Sequence, residues 1–154
     1  MKTGILVAGV ASAFMLAGAS VALAQAGGTG PEAQAMLEKG IAALKANEAD
    51  ALAKFVKKDS GFVDRDLYVF CFNVADGKFT AHINPKLMGT DIRALKEPDG
   101  SPLGQKIFDT IKANGPKVST VDYKFPRPGT TEAVAKQSFV VQVGNQGCGV
   151  GYYK

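Results

Sequence analysis

The chain has 154 residues, 46% of them hydrophobic, and a formal net charge of +4. Once an N-terminal targeting segment is set aside, this length fits one domain with a single hydrophobic core. The basic residues are spread along the chain, with Lys57-Lys58 as the one adjacent pair, so the charge pattern argues against nucleic acid as a partner.

Residues 1–24 are predicted to form a signal peptide. Lys2 is followed by an uncharged stretch, Thr3–Gln25, which is rich in Ala, Gly, Val and Leu and contains the small-x-small pattern Ala22-Leu23-Ala24 that a signal peptidase accepts. The apolar run is also long enough for an uncleaved anchor helix, but its many small residues and the cleavage pattern favour export. We therefore expect a periplasmic or secreted protein with no stable membrane span after cleavage near Ala24.

A glycine-rich leader and a long helix are predicted next. Residues 25–30 are polar and rich in glycine, which predicts a flexible leader. From Pro31 to Lys58, apolar residues recur at steps of three and four, which predicts an amphipathic helix. Asn47 interrupts this pattern and predicts a bend or a break between two helical pieces.

Two strands joined by a tight turn are predicted after the helix. Leu67–Val74 is apolar on both sides and rich in β-formers, which is typical of a central strand covered on both faces. Asp76-Gly77 is a strong hairpin signal. The returning strand, Lys78–Ile83, alternates, and this alternation places His82 on the face opposite Phe79.

The second half begins with an irregular connection, Lys86–Gly100, in which one helical turn is predicted at Asp91–Leu95. Ser101 is predicted to cap a helix that has Pro102 in its first position, and Gly115-Pro116 is predicted to end it. Three predicted strands follow: Lys117–Phe125, Ala133–Val143 and Cys148–Tyr153. This order of elements predicts a single α+β domain over residues 31–154, with five largely antiparallel strands.

Four stretches of the chain carry a resemblance to a known family. The runs "DLYVFCFNVADGKFTAHINPKLMGTDI" and "YKFPRPGT", the strand Lys136–Gln142 and the closing "CGVGYY", in this order and spacing, resemble single Cache domains of the second type. The resemblance covers residues 31–154 and implies a PAS-like sheet, with a long N-terminal helix on one face and with loops and a short helix over a ligand pocket on the other. It also implies binding of small molecules such as short carboxylates, since members of the family usually lie outside the membrane in chemoreceptors and sensor kinases.

The two cysteines, Cys71 and Cys148, leave two alternatives. In an oxidising compartment they can bridge only if their side chains come close together, and the sheet order implied by the resemblance makes their strands neighbours. Two buried free thiols are the other alternative, and it is the one that we favour. No CxxC spacing suggests a redox or metal site.

Two cations are candidates for binding an anion. Arg127 lies between Pro126 and Pro128, which would hold its guanidinium rigidly for a bidentate grip on a carboxylate. Alternatively, the prolines protect a sheet edge and Arg127 faces water. Lys136 lies within an apolar strand, where a buried ammonium needs a partner, and it matches the strand lysine of the family that the chain resembles.

Aromatic residues are expected to form the wall of the pocket. Tyr123 and Phe125 share the inward face of their strand, and Tyr68 and Phe70 share one face of the central strand; for each of them a core position is the alternative. The resemblance implies that His82 bonds to loop backbone or to the ligand. Arg93 is a further candidate cation, and an exposed position on a helical turn is the alternative for it. The complete candidate set is Tyr68, Phe70, His82, Arg93, Tyr123, Phe125, Arg127 and Lys136.

The function predicted from the sequence is that of an exported sensory domain that binds a small carboxylate or polar metabolite. The alternative is an accessory module that binds a membrane receptor or kinase and has no ligand of its own. With one histidine, no nucleophile elbow and no phosphate-binding glycine loop, the sequence shows no catalytic constellation, so we expect neither enzymatic activity nor a cofactor. A metal site is not expected either, because His82 has no second ligand near it in the sequence.

Overall fold

The computed structural model describes residues 27–58 and 61–154. The predicted signal peptide, residues 1–24, and the first two residues of the predicted leader lie outside the described residues. Three α-helices, two 3₁₀ turns and six strands are present in the described part of the chain. Within these two ranges, no helix has both the length and the apolar character that a membrane crossing requires.

The long N-terminal helix is divided at Asn47. The first piece, α1, spans Gly30–Ala46, and the second, α2, spans Glu48–Lys57. Asn47 has an extended backbone conformation, and its side-chain oxygen accepts a hydrogen bond from the Asp50 N–H at 3.1 Å. It therefore ends one helix and caps the next, which confirms the predicted break.

The segment before α1 is held against the sheet. Thr29 is the N-cap of α1, and the preceding Gly28 is buried, with its N–H donating to Asp66 Oδ1 at 2.6 Å. A Cβ on Gly28 would lie 2.1 Å from Leu67 Cγ, so this close approach favours glycine. These contacts hold Gly28 and Thr29, two residues of the predicted leader, against the rest of the domain.

Six strands form one antiparallel sheet, whereas the sequence predicts five. Hydrogen-bonded neighbours follow the order first, second, sixth, fifth and fourth, and the third strand pairs with the second. The additional strand is the first, whose two residues are too few to produce an alternating pattern. The strands span Val63–Asp64 (β1), Leu67–Asn73 (β2), Phe79–Ala81 (β3), Ser119–Pro126 (β4), Ala133–Val143 (β5) and Gln146–Tyr153 (β6).

Several strand boundaries differ from the predicted ones by one or two residues, and two of these differences are explained by turns. β3 ends at Ala81 because the chain enters a 3₁₀ turn at Pro85–Leu87, which is capped by the Asn84 side chain. β6 begins two residues earlier than predicted, since Gly144-Asn145 forms a two-residue turn that pairs the end of β5 with Gln146. The first of these differences changes where His82 lies, as described below.

The third helix, α3, spans Leu103–Asn114 and ends at Gly115, as predicted. Its N-cap is Pro102, without a side-chain cap hydrogen bond, so the predicted cap at Ser101 is wrong. In place of a side-chain cap, a backbone hydrogen bond joins the first turn of α3 to the preceding loop: the Gly104 N–H donates to Leu95 O at 3.0 Å. The predicted helical turn in this connection is present as a 3₁₀ turn, Ile92–Ala94.

The sheet separates two hydrophobic cores. Leu67, Val69 and Cys71 of β2 face α1 and α2, whereas Tyr68 and Phe70 face α3 and the irregular connection. This alternation on a strand that is apolar on both sides explains why β2 lies inside the sheet. The resulting arrangement, helices on one face and loops with a short helix on the other, is the α+β PAS-like architecture predicted from the sequence, which is thereby confirmed.

Cys71 and Cys148 form a disulfide. The two residues lie directly opposite each other on β2 and β6, in the core that α1 covers. The preference for free thiols is therefore wrong. Register decides the pairing, because neighbouring strands bring two side chains together only when both point to the same face at the same level.

Candidate ligand-binding site

A buried lysine lies on the face of β5 that borders the hydrophobic core under α3. Lys136 shares a face of β5 with Ser138 and Val140, and it is 1% exposed. Its Nζ donates to Tyr68 Oη at 3.1 Å and to Tyr153 Oη at 3.3 Å. Among the described residues no carboxylate lies within ion-pair distance of this ammonium. Its nearest neighbours are therefore neutral.

Aromatic rings surround the same ammonium. Lys136 Nζ lies 4.3 Å from the ring centroid of Tyr68, 4.5 Å from that of Tyr153 and 5.7 Å from that of Phe125. Such cation–π contacts compensate only part of the lost hydration. Burial accordingly lowers the pKa of Lys136 from 10.5 to about 7, although the Asp66 charge opposes this shift. The Lys136 ammonium therefore loses its charge close to neutral pH.

Glycine residues on β6 make room for this arrangement. A Cβ on Gly151 would lie 2.4 Å from Lys136 Cε and 2.3 Å from Ser138 Oγ. A Cβ on Gly149 would lie 2.5 Å from the Phe70 ring. A larger residue at Gly149 or Gly151 would collide with side chains of β2 and β5, which already occupy the space over β6.

An inner cavity lies beside these side chains, under α3. Its volume is about 20 Å³, enough for about one water molecule. The walls are almost entirely apolar and include five of the predicted site residues. Those five are Tyr68, Phe70, His82, Tyr123 and Phe125.

A wider cleft opens to solvent next to the inner cavity. Its volume is about 440 Å³, within the range of small-molecule sites. Tyr68, His82 and Phe125 line both spaces, so these three side chains form the boundary between them. Lys136 lines neither space, but it donates to Tyr68 and lies near the Phe125 ring.

Arg127 lines the open cleft. Its guanidinium forms an ion pair with Asp66 and lies 4.5 Å from the ring centroid of Tyr153. Asp66 is only 8% exposed and also accepts the Gly28 N–H. Arg127 is thus held in place by a buried carboxylate as well as by its two flanking prolines. Neither of the two alternatives predicted for Arg127 included Asp66 as its partner.

His82 lies in the aromatic cluster, which corrects its predicted position opposite Phe79. The two rings are 5.2 Å apart, and the Tyr68 ring is also 5.2 Å from the histidine. The alternation fails here because β3 has already ended. His82 Nδ1 accepts from the Asn84 N–H at 2.9 Å, so the neutral ring carries its proton on Nε2. Burial, aided by the Lys136 charge, lowers the pKa of His82 to about 4.

Tyr123 and Phe125 point inward from β4, in agreement with their predicted face. The Tyr123 hydroxyl is paired with Ser138 Oγ at 2.6 Å, and burial raises the pKa of this phenol. Phe70 is buried at the cavity wall. These side chains therefore serve both the core and the cavity, which were predicted as alternatives.

Arg93 lies away from the site, so the structure does not support its inclusion in the predicted set. Its guanidinium pairs with Asp91 at 2.6 Å, donates to Asp76 O at 2.9 Å and lies 5.0 Å from the Phe108 ring centroid. Asp91 caps the 3₁₀ turn that carries Arg93, and this local pairing turns the side chain toward the β2–β3 turn.

Three residues of the site were not predicted. Tyr153 binds Lys136 through its hydroxyl and donates to Pro126 O at 2.5 Å. Asp66 holds Arg127, and Ser138 holds Tyr123. Strand alternation could have indicated Tyr153, which follows Gly151 on the same face of β6. No pattern in the sequence indicates Asp66, because its partner is 61 residues away.

Comparison with known proteins identifies the family. The family model described as Cache domain matches residues 41–147. The chain belongs to the Cache domain family. This confirms the family predicted from the four sequence stretches, and Cache domains are sensory ligand-binding domains of chemotaxis receptors.

Individual relatives agree with this assignment. Over 78 residues the Cache domain is 35% identical to methyl-accepting chemotaxis protein McpP of Pseudomonas putida KT2440, and the alignment covers 50% of this chain but only 14% of that protein. A solved Cache chemosensory domain that recognises carboxylic acids is 25% identical, with a TM-score of 0.60 over 78% of this chain and 84% of that one.

Two further solved structures share the fold. A periplasmic sensor domain of a chemotaxis protein is 27% identical, with a TM-score of 0.60 over 78% of this chain and 86% of the other. A methyl-accepting chemotaxis protein from Vibrio parahaemolyticus RIMD 2210633 is 19% identical, with a TM-score of 0.64 over 80% of this chain and 86% of the other. At that identity the second likeness concerns the fold alone.

Proposed function

We propose that this Cache domain is an extracytoplasmic sensor that binds a small organic carboxylate in the open cleft, at its boundary with the inner cavity. The observation that carries the proposal is the buried ammonium of Lys136, which has phenols rather than a carboxylate as partners. A buried charge without a counter-ion is costly. An anion that enters beside Tyr68 supplies the missing opposite charge.

The neighbouring groups suit a carboxylate. Lys136 donates to the Tyr68 oxygen, and this polarises the phenol so that its own O–H becomes a stronger donor. His82 is neutral and offers an Nε2–H at the boundary of the two spaces. Ile83, Phe125 and Pro126 provide an apolar wall of the cleft for the aliphatic part of the ligand. One solved relative recognises carboxylic acids, which supports the same ligand class here.

We extend the proposal to location and partner. The signal peptide predicted at residues 1–24 and the Cys71–Cys148 disulfide both fit an oxidising compartment such as the periplasm. The similarity to chemotaxis receptors suggests a membrane signalling protein as the partner that receives the signal. Enzymatic activity forms no part of the proposal.

Calorimetric titration of the full chain with acetate and propionate tests the ligand class. Lys136→Met removes the charge and keeps a long side chain, and Lys112→Met, on the exposed side of α3, is the matched control. We expect at least a tenfold loss of affinity for Lys136→Met, in line with a charged hydrogen bond worth roughly 1.5–3 kcal/mol, and no change for Lys112→Met.

Two outcomes would count against this function. Equal affinity of wild type and Lys136→Met for both acids would show that the buried ammonium does not act on the ligand. Binding of urea-like neutral amides without binding of either acid would contradict an anionic ligand, although it would leave a ligand-binding domain.

A further inference from the structure

The open cleft has an unusual distribution of charge. Three of its twelve lining residues are cations, Lys58, Lys86 and Arg127, and none is Asp or Glu. The whole chain carries 18 basic and 14 acidic residues, so a surface that samples the chain evenly would contain both signs. The cleft is therefore more positive than the protein as a whole, and clefts of one sign concentrate ions of the other.

Two different elements bring the lysines of this cleft together. Lys58 follows α2 as its C-cap in the left-handed conformation, with φ 59°. Lys86 lies in the 3₁₀ turn Pro85–Leu87, where its N–H donates to Asn84 Oδ1 at 3.0 Å. Capping contacts thus fix the backbone at both positions. In the described part of the chain, neither ammonium forms an ion pair with a carboxylate.

The positive charge of the cleft exceeds the need of one carboxylate. A single carboxylate at the Tyr68–His82 boundary would be matched by Lys136 behind it, and Lys58 and Lys86 would remain without counter-ions. The inner cavity, at about 20 Å³, is also too small for the body of an organic acid, whereas the cleft, at about 440 Å³, has room for one.

From this we propose that the cleft selects anions with at least two negative charges, such as dicarboxylates, over monocarboxylates. Lys58 and Lys86 are the specificity-determining residues: they bind the second carboxylate at the rim while the first lies at the boundary with the inner cavity. This inference rests on the proposed function and narrows its ligand class.

The test compares acetate with succinate by calorimetry on the full chain at pH 6.5, where the Lys136 ammonium is mostly protonated. Succinate binds wild type more tightly than acetate, and its affinity falls more steeply with added NaCl. The double variant Lys58→Gln/Lys86→Gln loses about tenfold for succinate, at about two- to fivefold per exposed lysine, and changes less than twofold for acetate. Lys45→Gln/Lys57→Gln removes the same net charge from exposed helix positions outside the cleft and serves as the control.

The outcomes separate this inference from the proposed function. Acetate affinity equal to or above that of succinate overturns the inference, as does an equal loss in the rim variant and the control. If Lys136→Met weakens both anions but the rim variant weakens neither, the proposed function stands and the inference fails. If succinate binding depends on the rim lysines but not on Lys136, the inference stands and the role of the buried ammonium fails. Binding of neither anion overturns both.

Discussion

The buried ammonium of Lys136 predicts a specific dependence of stability on pH. Its folded-state pKa of about 7 lies below the unfolded value of 10.5. Between these two values the unfolded chain binds a proton that the folded chain does not bind, so the free energy of unfolding rises with pH. Below pH 7 both states are protonated, and the full cost of the buried charge is present. In Lys136→Met this contribution is absent at every pH.

The magnitude follows from the two pKa values. The shift from 10.5 to about 7 corresponds to a maximal cost of about 5 kcal/mol at 1.36 kcal/mol per unit. Between pH 6 and pH 9.5, about 3 kcal/mol of this cost disappears by the same linkage relation. The hydrogen bonds to the phenols of Tyr68 and Tyr153, which methionine lacks, offset part of the gain from the substitution at each pH. The change with pH is therefore the quantity to measure.

Guanidinium denaturation followed by circular dichroism at pH 6, 7.5 and 9.5, without reductant, provides this measurement. We expect Lys136→Met to be more stable than wild type at pH 6 and the difference to shrink by about 3 kcal/mol at pH 9.5. Lys112→Met, at an exposed position, should follow wild type at all three values. A difference between wild type and Lys136→Met that stays constant with pH would refute the reasoning, because the ammonium would then titrate alike in both states.

Two further predictions concern His82 and the disulfide. The pKa of His82 is lowered from 6.5 to about 4, so its contribution to stability is present above pH 6.5 and is lost as pH falls through 4. His82 is the one histidine of the chain, and its ring-proton NMR signals should not shift between pH 8 and pH 5. A titration midpoint near pH 6.5 would contradict its burial. Reduction of the Cys71–Cys148 bond, which spans 77 residues, should lower the free energy of unfolding by about 4.5 kcal/mol on the chain-entropy model. Cys71→Ala/Cys148→Ala should be insensitive to reductant, and an unchanged wild-type midpoint with both thiols measurably free would oppose the estimate.

Local patterns were sufficient to predict most of the fold. β2 is apolar at every position but its last, so a strand covered on both faces could be recognised from its residues alone. The same holds for Lys136, where an ammonium interrupts an apolar alternation, and for Asn47, where a cap residue interrupts a helical period. In each case the cause of the structure lies within a few residues of the position it affects.

The errors occur where the cause is distant or the element is short. His82 was placed on the wrong face because β3 stops at Ala81, one residue before it, and a three-residue strand gives too little alternation to fix its end. The disulfide depends on the register of two strands that are far apart in sequence. Asp66 lies just before β2, and its role appears only when the loop that carries Arg127 folds back onto it.

Asp66 joins two parts of the molecule that lie on opposite faces of the sheet. One of its oxygens accepts the amide of Gly28, at the entrance to α1, and the other pairs with Arg127 at the cleft. The start of α1 and the wall of the cleft are therefore joined through a single buried carboxylate.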